Sequence, residues 1–195
     1  MKIILLRHEE RNLSDPRFFV NLTEKGKINS IKLINILNNF SINDIYCSPF
    51  ERTIETILPY CLFSKKKINI ENSLYEVPNN ILFINEIVYS TLNIRDINSE
   101  IINYNYKSYM RKEEFSFSDD NIIINYETNE NIYLRCKNFI ENIINDNYNK
   151  NKTILLVSHQ RILTDIEKYI IEKIYKNYDY TFSKMKMGEY RIYSL

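Results

Sequence analysis

Four short apolar runs, separated by longer segments with helical patterns, constrain the fold of this 195-residue chain more than any other feature. The first run, residues 2–7, shows no polar–apolar alternation, which is typical of a fully buried strand. The other runs cover residues 42–47, 68–70 and 153–158. Strands that alternate with helices form a mainly parallel sheet. We therefore predict an α/β fold, a three-layer sandwich with a mainly parallel central sheet and helices on both faces.

The segments between these runs predict four helices. Thr23 is suited to capping the first helix, and Pro49 is suited to the first turn of the second. The predicted helices cover about residues 23–40, 50–63, 127–147 and 161–175. Two further strand candidates, residues 180–186 and 189–194, lie on either side of Gly188.

The two glycines of the chain, Gly26 and Gly188, are expected to mark backbone constraints. The abundance of Asn, Ile and Lys is typical of translation from an AT-rich genome, in which glycine is disfavoured. A glycine that persists against such a bias indicates a position where a side chain does not fit.

Residues 78–126 form the least regular part of the chain, with repeated Asn and Tyr and interrupted helical patterns. We expect a single domain over residues 1–195, in which 78–126 is a cap inserted over the C-terminal edge of the sheet. Lids and specificity elements usually lie there. The alternative, a partly disordered linker, is disfavoured by the aromatic content of the segment.

Charge and cysteine content exclude several classes of protein. The net charge is +1, so there is no global field to attract nucleic acid or an anionic membrane, and any anion site must be local. Cys47, Cys61 and Cys136 are odd in number and lack metal-binding spacing, which indicates reduced, packed thiols. No segment has the pattern of a signal peptide or the roughly 18 apolar residues of a membrane span. We expect a cytoplasmic protein.

Both histidines of the chain follow strand candidates: His8 comes directly after the first run and His159 directly after the fourth. In open α/β sheets, ligands bind beyond the carboxyl ends of the strands. A single histidine at a strand end is more often structural. Two imidazoles that the fold brings to one edge indicate a reaction centre.

Three arginines accompany these imidazoles in the predicted arrangement. Arg7 and Arg11 surround His8 in sequence, and Arg52 lies at the start of the second helix. Guanidinium groups match phosphate oxygens with paired donors. An imidazole among them can attack phosphorus, and a second imidazole can stabilise the transition state. The residues therefore predict a phosphate pocket.

The order of these motifs resembles the histidine phosphatase superfamily, also called phosphoglycerate-mutase-like. The motifs are Arg7-His8, Leu22-Thr23-x-x-Gly26, Ser48-Pro49-x-x-Arg52-x-x-x-Thr56, Leu74-x-Glu76 and Ser158-His159. The resemblance covers most of the chain, except the insertion and the C-terminal strands. It implies a phosphoglycerate mutase-like fold and an enzyme that needs no metal or other cofactor.

The resemblance also implies a role for each matching residue. His8 would be the phosphorylated nucleophile, and Arg7 and Arg52 would hold the phosphoryl group. His159 would complete the pocket, and Glu76 would be the general acid that protonates the leaving oxygen. General acids of this kind contribute about 10² to 10⁴-fold.

The segment after His8 carries one further similarity and one departure. Its spacing is similar to that of the suppressor-of-T-cell-signalling phosphatases, which adds Arg11 to the phosphate-binding residues. The family usually has glycine after each histidine, whereas this chain has Glu9 and Gln160. Two outcomes are open: the side chains turn outward while the backbone N–H still serves the phosphate, or activity is reduced.

Three functions fit these residues. The first is a metal-independent phosphatase for a small-molecule phosphomonoester or a phosphoprotein, acting through phosphorylated His8. The second is a phosphoglycerate mutase, which is less favoured because residues 78–126 contain no glycine and only Arg95 and Arg111 as arginines. The third is a catalytically degenerate member that binds phosphorylated ligands.

A metal site is disfavoured because the two histidines lack companion ligands at usable spacing. The substrate and the oligomeric state are left open.

Overall fold

A five-stranded sheet forms the centre of the protein. The structure is a computed structural model that describes residues 1–14, 20–76, 99–110, 127–147 and 149–195. The strands are β1 (Lys2–Arg7), β2 (Asp44–Cys47), β3 (Ile68–Ile70), β4 (Thr153–Ser158) and β5 (Tyr190–Ser194). Their order is β3-β2-β4-β1-β5. The first four are parallel, and β5 pairs antiparallel with β1. The predicted mainly parallel sheet is confirmed.

Helices cover both faces of this sheet. They are α1 (Glu24–Leu37), α2 (Glu51–Ser64), α3 (Asn129–Asp146) and α4 (Gln160–Tyr169). On β1, Ile4 and Leu6 pack on the face covered by α1 and α2, whereas Ile3 and Leu5 pack on the face covered by α3 and α4. All four side chains are fully buried, which explains why the run that encodes β1 lacks polar positions.

The helix starts agree with the prediction in one case and differ in another. Thr23 caps α1, since its Oγ1 accepts a hydrogen bond from the backbone N–H of Gly26 at 3.0 Å. The sequence predicts Pro49 in the first turn of α2, but the structure places it before the helix. The extended Phe50 is the N-terminal cap and the helix begins at Glu51, so the proline belongs to the preceding loop.

The C-terminal region also differs from the prediction. Residues 180–186 were expected to form a strand, but they are irregular, and only Tyr190–Ser194 pairs with the sheet. The backbone carbonyl of Met185 instead accepts a hydrogen bond from Arg7, so this segment runs across the end of β1 rather than beside it. The last predicted helix is divided, because α4 continues as a π-helix over Ile170–Ile174.

Only residues 99–110 of the predicted insertion are described, and these lie beside β3. Ile102 forms a parallel bridge with Ile68. The carboxylate of Glu71 is fully buried and accepts hydrogen bonds from Tyr106 Oη, Ser108 Oγ and the backbone N–H of Tyr109. This part of the segment is therefore tied to the edge of the sheet. The rest of the predicted cap lies outside the described residues.

The described helices include none that is both long and apolar enough to cross a bilayer. Cys47, Cys61 and Cys136 are free and buried. Their burial agrees with the prediction of packed thiols.

Both glycines lie where a side chain would not fit. A Cβ atom on Gly26 would lie 2.3 Å from the backbone oxygen of Glu10. Gly188 has a φ of 75°, and a Cβ atom there would lie 2.2 Å from Oε1 of Glu9. The prediction that these positions require glycine is confirmed. Both glycines contact the segment that follows His8.

Replacement of Gly26 by alanine tests this contact. In an ordinary helix this change stabilises by roughly 0.5–1 kcal/mol. Here we expect Gly26→Ala to lower the free energy of unfolding by about 1–3 kcal/mol, because the new methyl group meets rigid backbone. Chemical denaturation measures the change. Asn35→Ala, at an exposed position of α1, is the control and should be close to neutral. Equal effects of the two substitutions would contradict the prediction.

Candidate active site

The adjacent strands β1 and β4 bring the two histidines together. Arg7 pairs with Ser158 in the parallel register, so His8 and His159 leave the sheet at the same level. The backbone N–H of His8 donates to Ser158 O at 3.0 Å and extends the ladder by one residue. The ring centroids are 5.3 Å apart, and both side chains are buried.

A chain of three hydrogen bonds orients the ring of His8. Its Nδ1 lies 2.7 Å from the backbone oxygen of Glu9, which can only accept, so Nδ1 carries the proton. The N–H of Glu9 donates to Thr56 Oγ1 at 2.9 Å, and that hydroxyl donates to Arg52 O at 2.7 Å. The lone pair of the neutral ring is therefore on Nε2.

His159 is held in the opposite tautomer. Nη2 of Arg52, which can only donate, lies 3.2 Å from its Nδ1, and Oε2 of Glu76 lies 3.3 Å from the same atom. With the Glu76 carboxyl in its acid form, Nδ1 accepts. Nε2 then carries the proton and donates to Ser48 Oγ at 2.9 Å. The ring of Phe50 packs edge-on at 5.0 Å between centroids. Sequence reasoning placed Ser48 and Thr56 in a motif but assigned neither of them a role.

The predicted arginines surround this pair of rings. Nη1 of Arg7 donates to Met185 O at 2.6 Å and to Gln160 Oε1 at 3.3 Å. Arg52 is 2% exposed, with its guanidinium 4.8 Å from the Phe50 ring centroid. Arg11 is half-buried and acts electrostatically on both histidines. No sequence motif indicated the contribution of the Met185 carbonyl.

Glu76 completes the group. Its Oε2 lies 3.3 Å from Nδ1 of His159 and 3.6 Å from Nη2 of Arg52. One ligand atom from each of His8, Glu76 and His159 lies within 4.8 Å of the others, so the fold supplies a companion ligand that the sequence did not indicate. The surrounding arginines repel a cation, however, and favour an anion at this position.

Burial and neighbouring charge keep both imidazoles neutral. Burial, with a further contribution from Arg52, lowers the pKa of His8 to about 3. The same two causes lower the pKa of His159 well below its usual value. Burial lowers the pKa of Arg52 to about 10, so this side chain stays charged at neutral pH. The site combines a free imidazole lone pair with fixed positive charge, which suits attack on a phosphorus that carries negative oxygens.

The residues that replace the usual glycines take structural positions. The Glu9 side chain packs against Gly188, and its Oε2 lies 3.5 Å from Nδ2 of Asn29 on α1. Its burial raises the pKa of the carboxyl. The backbone N–H of Glu9 is engaged by Thr56 rather than directed at a ligand. Gln160 accepts from Arg7 and so helps to hold that arginine.

Comparison with known proteins identifies similar chains. The sequence model of the histidine phosphatase superfamily (branch 1) matches residues 3–182. A search of curated proteins found no match to the chain.

Solved phosphatase structures share the fold. The ecdysone phosphate phosphatase of Bombix mori, in complex with tungstate, has a TM-score of 0.67 at 16% identity, covering 98% of this chain and 88% of that one. A mycobacterial glucosyl-3-phosphoglycerate phosphatase has a TM-score of 0.65 at 11% identity, with coverage of 98% and 88%. A phosphoserine phosphatase variant of Entamoeba histolytica, in complex with phosphoserine, has a TM-score of 0.60 at 19% identity, with coverage of 98% and 89%.

Loss of the Thr56 hydroxyl should release the ring of His8. We expect Thr56→Val to lower the free energy of unfolding by about 1–3 kcal/mol, because the buried N–H of Glu9 loses its acceptor. The ring nitrogens of His8 should then show a mixture of tautomers by ¹⁵N NMR. Thr56→Ser keeps the hydroxyl and should retain a protonated Nδ1. Identical spectra for the two variants would contradict this role.

The lowered pKa of His8 predicts a loss of stability in acid. Below its usual pKa of 6.5 the unfolded chain binds a proton at His8, whereas the folded protein does not until about pH 3. Stability therefore falls as the pH decreases through this interval, by about 2 kcal/mol at pH 5 from His8 alone. Urea denaturation at pH 7 and pH 5 should show a smaller loss for His8→Gln than for the unsubstituted protein. Equal losses would contradict the prediction.

Proposed function

The chain belongs to the histidine phosphatase superfamily, and from that premise we propose that it hydrolyses phosphomonoesters through a phosphohistidine on His8. The observation that carries the proposal is the unprotonated Nε2 of His8, fixed in a buried site among Arg7, Arg11 and Arg52. A neutral imidazole held in this way is a nucleophile that needs no base to remove its proton.

In the first step, the phosphoryl dianion binds to the three arginines and presents phosphorus to His8. The Nε2 lone pair forms the N–P bond while the bond from phosphorus to the ester oxygen breaks. Glu76, in its acid form, gives its proton to that oxygen, which leaves as an alcohol. The Nδ1–H of His8 stays bonded to Glu9 O, which supports the positive charge that the ring acquires.

In the second step, water attacks the phosphohistidine. The Glu76 carboxylate takes a proton from the water, the new O–P bond forms and the N–P bond breaks. Inorganic phosphate leaves, His8 is neutral again and Glu76 is again in its acid form. One carboxyl group therefore serves as acid and then as base, which requires that it stay close to the reacting oxygen in both steps.

His159 can assist through a change of tautomer. In the structure its Nδ1 accepts from Arg52 and its Nε2 donates to Ser48. The Ser48 hydroxyl can also donate, so the proton can move to Nδ1 while Ser48 donates to Nε2. Nδ1–H would then donate to a phosphoryl oxygen once Arg52 has turned toward the substrate. In that tautomer His159 would help to stabilise the negative charge on the phosphoryl group.

The related structures support an alcohol-derived phosphomonoester as substrate. Phosphoserine, for example, is the ester of an aliphatic hydroxyl group, and such esters need protonation of the leaving oxygen. Both small metabolites and phosphoproteins fall within this class. The segment expected to distinguish them, residues 78–126, is described only over residues 99–110.

Removal of the nucleophile tests the proposal. We expect His8→Ala to reduce hydrolysis of p-nitrophenyl phosphate by roughly 10³-fold or more. A rapid alkaline quench of the unsubstituted enzyme should yield one phosphoryl group on the peptide that contains His8, detected by mass spectrometry. Lys25→Gln, at an exposed position of α1, is the control and should keep full activity.

Two results would contradict the proposal. Hydrolysis by His8→Ala at the unsubstituted rate would exclude this nucleophile. Conversion of 3-phosphoglycerate into 2-phosphoglycerate, faster than release of phosphate, would identify a mutase instead.

A further inference from the structure

Arg135, outside every motif noted in the sequence, binds the backbone that leads into Glu76. Its Nη1 donates to the carbonyl oxygen of Ser73 at 2.6 Å and to that of Tyr75 at 3.3 Å. Its guanidinium also lies 4.0 Å from the centroid of the Tyr75 ring. The side chain therefore contacts the residue directly before Glu76 in two ways.

The carbonyl group between these two is held by a residue of β4. Ser158 Oγ donates to Leu74 O at 2.6 Å, and Ser158 immediately precedes His159. Three consecutive carbonyl groups before Glu76 thus accept hydrogen bonds from side chains. This stretch overlaps a short 3₁₀ turn over Asn72–Leu74, which is too short to hold these carbonyl groups in a regular ladder.

Arg135 is itself held rigidly. Its Nε and Nη2 form paired hydrogen bonds with the carboxylate of Glu127 at 2.8 and 2.7 Å. Arg135 is 8% exposed and lies on α3. A buried guanidinium is costly unless it is paired, and this pairing leaves Nη1 directed at the carbonyl groups. Glu127 therefore anchors the arginine, and the arginine anchors the loop.

We propose that Arg135, anchored by Glu127, is a positioning residue that keeps the Glu76 carboxyl at the reacting oxygen. The inference rests on the proposed function, since it takes Glu76 as the general acid. Without Arg135 the carbonyl groups of Ser73 and Tyr75 lose buried partners and the loop shifts to find others. A displacement of about 1 Å at a reacting group can cost roughly 10²-fold in rate.

The consequence depends on the leaving group. Glycerol phosphate releases an alkoxide that needs a proton, whereas p-nitrophenyl phosphate releases a stable phenolate that does not. Loss of positioning should therefore slow glycerol phosphate selectively. The ratio of kcat/KM for the two substrates, measured on one sample, is independent of the fraction of folded enzyme, so simple loss of folding does not change it.

The experiment compares four variants by this ratio. Glu76→Gln is the reference and should lower glycerol phosphate turnover relative to p-nitrophenyl phosphate by about 10²-fold. Arg135→Lys should lower the ratio in the same direction by roughly 10-fold, and Glu127→Gln by about 3-fold. Arg191→Lys is the matched control.

Arg191 suits that purpose because it makes a similar ion pair elsewhere. Its Nη1 binds both carboxylate oxygens of the buried Glu167, at 2.8 and 2.7 Å, between β5 and α4. Its substitution should reduce thermal stability and leave the ratio within about twofold of the unsubstituted value.

Each outcome decides whether Arg135 positions Glu76. An altered ratio in Arg135→Lys and Glu127→Gln, with an unchanged ratio in Arg191→Lys, supports the proposal. Parallel loss of both substrates in Arg135→Lys, including complete inactivity, overturns it, as does an unchanged ratio. If Glu76→Gln itself leaves the ratio unchanged, the assignment of the general acid is wrong. Hydrolysis that depends on His8 would still stand in that case.

Discussion

The parallel pairing of β1 with β4 is the interaction on which the site depends. Its register places Arg7 opposite Ser158, and the N–H of His8 continues the ladder by donating to Ser158 O. A shift of one residue would turn every side chain of β1 to the other face of the sheet. Because both faces are packed with helices, the core enforces the register, and the register brings the two imidazoles together.

The site needs neutral imidazoles and charged guanidinium groups side by side. Imidazoles that must stay neutral lie beside guanidinium groups that must stay charged, and burial acts on both. The protein resolves this with a backbone carbonyl, a side-chain amide and a carboxylate. Met185 O and Gln160 receive donors from Arg7, and Glu76 lies 3.6 Å from Arg52. Desolvation suppresses protonation of the imidazoles, while polar contacts keep the arginines in place.

The sequence predicted the side chains that meet at the site better than the residues and backbone groups that hold them in place. His8, His159, Arg52 and Glu76 converge as the motifs implied, whereas Arg11 lies nearer the surface of the site. Prediction was poorer where a residue acts through its backbone or through a distant partner. The irregular course of residues 180–186 follows from contacts with the end of β1, which no local pattern encodes.

The sequence by itself determined the layered α/β fold, the two positions that require glycine and the residues that meet at the site. Local periodicity indicated the fold, compositional bias indicated the glycines, and the resemblance to a known family indicated the site residues. Only the tertiary structure decided the tautomers of the histidines, the course of the Glu9 side chain and the anchoring of the Glu76 loop by Arg135. Hydrogen bonds between residues distant in the chain set these features. Such contacts become visible only once the strands are paired and the helices packed.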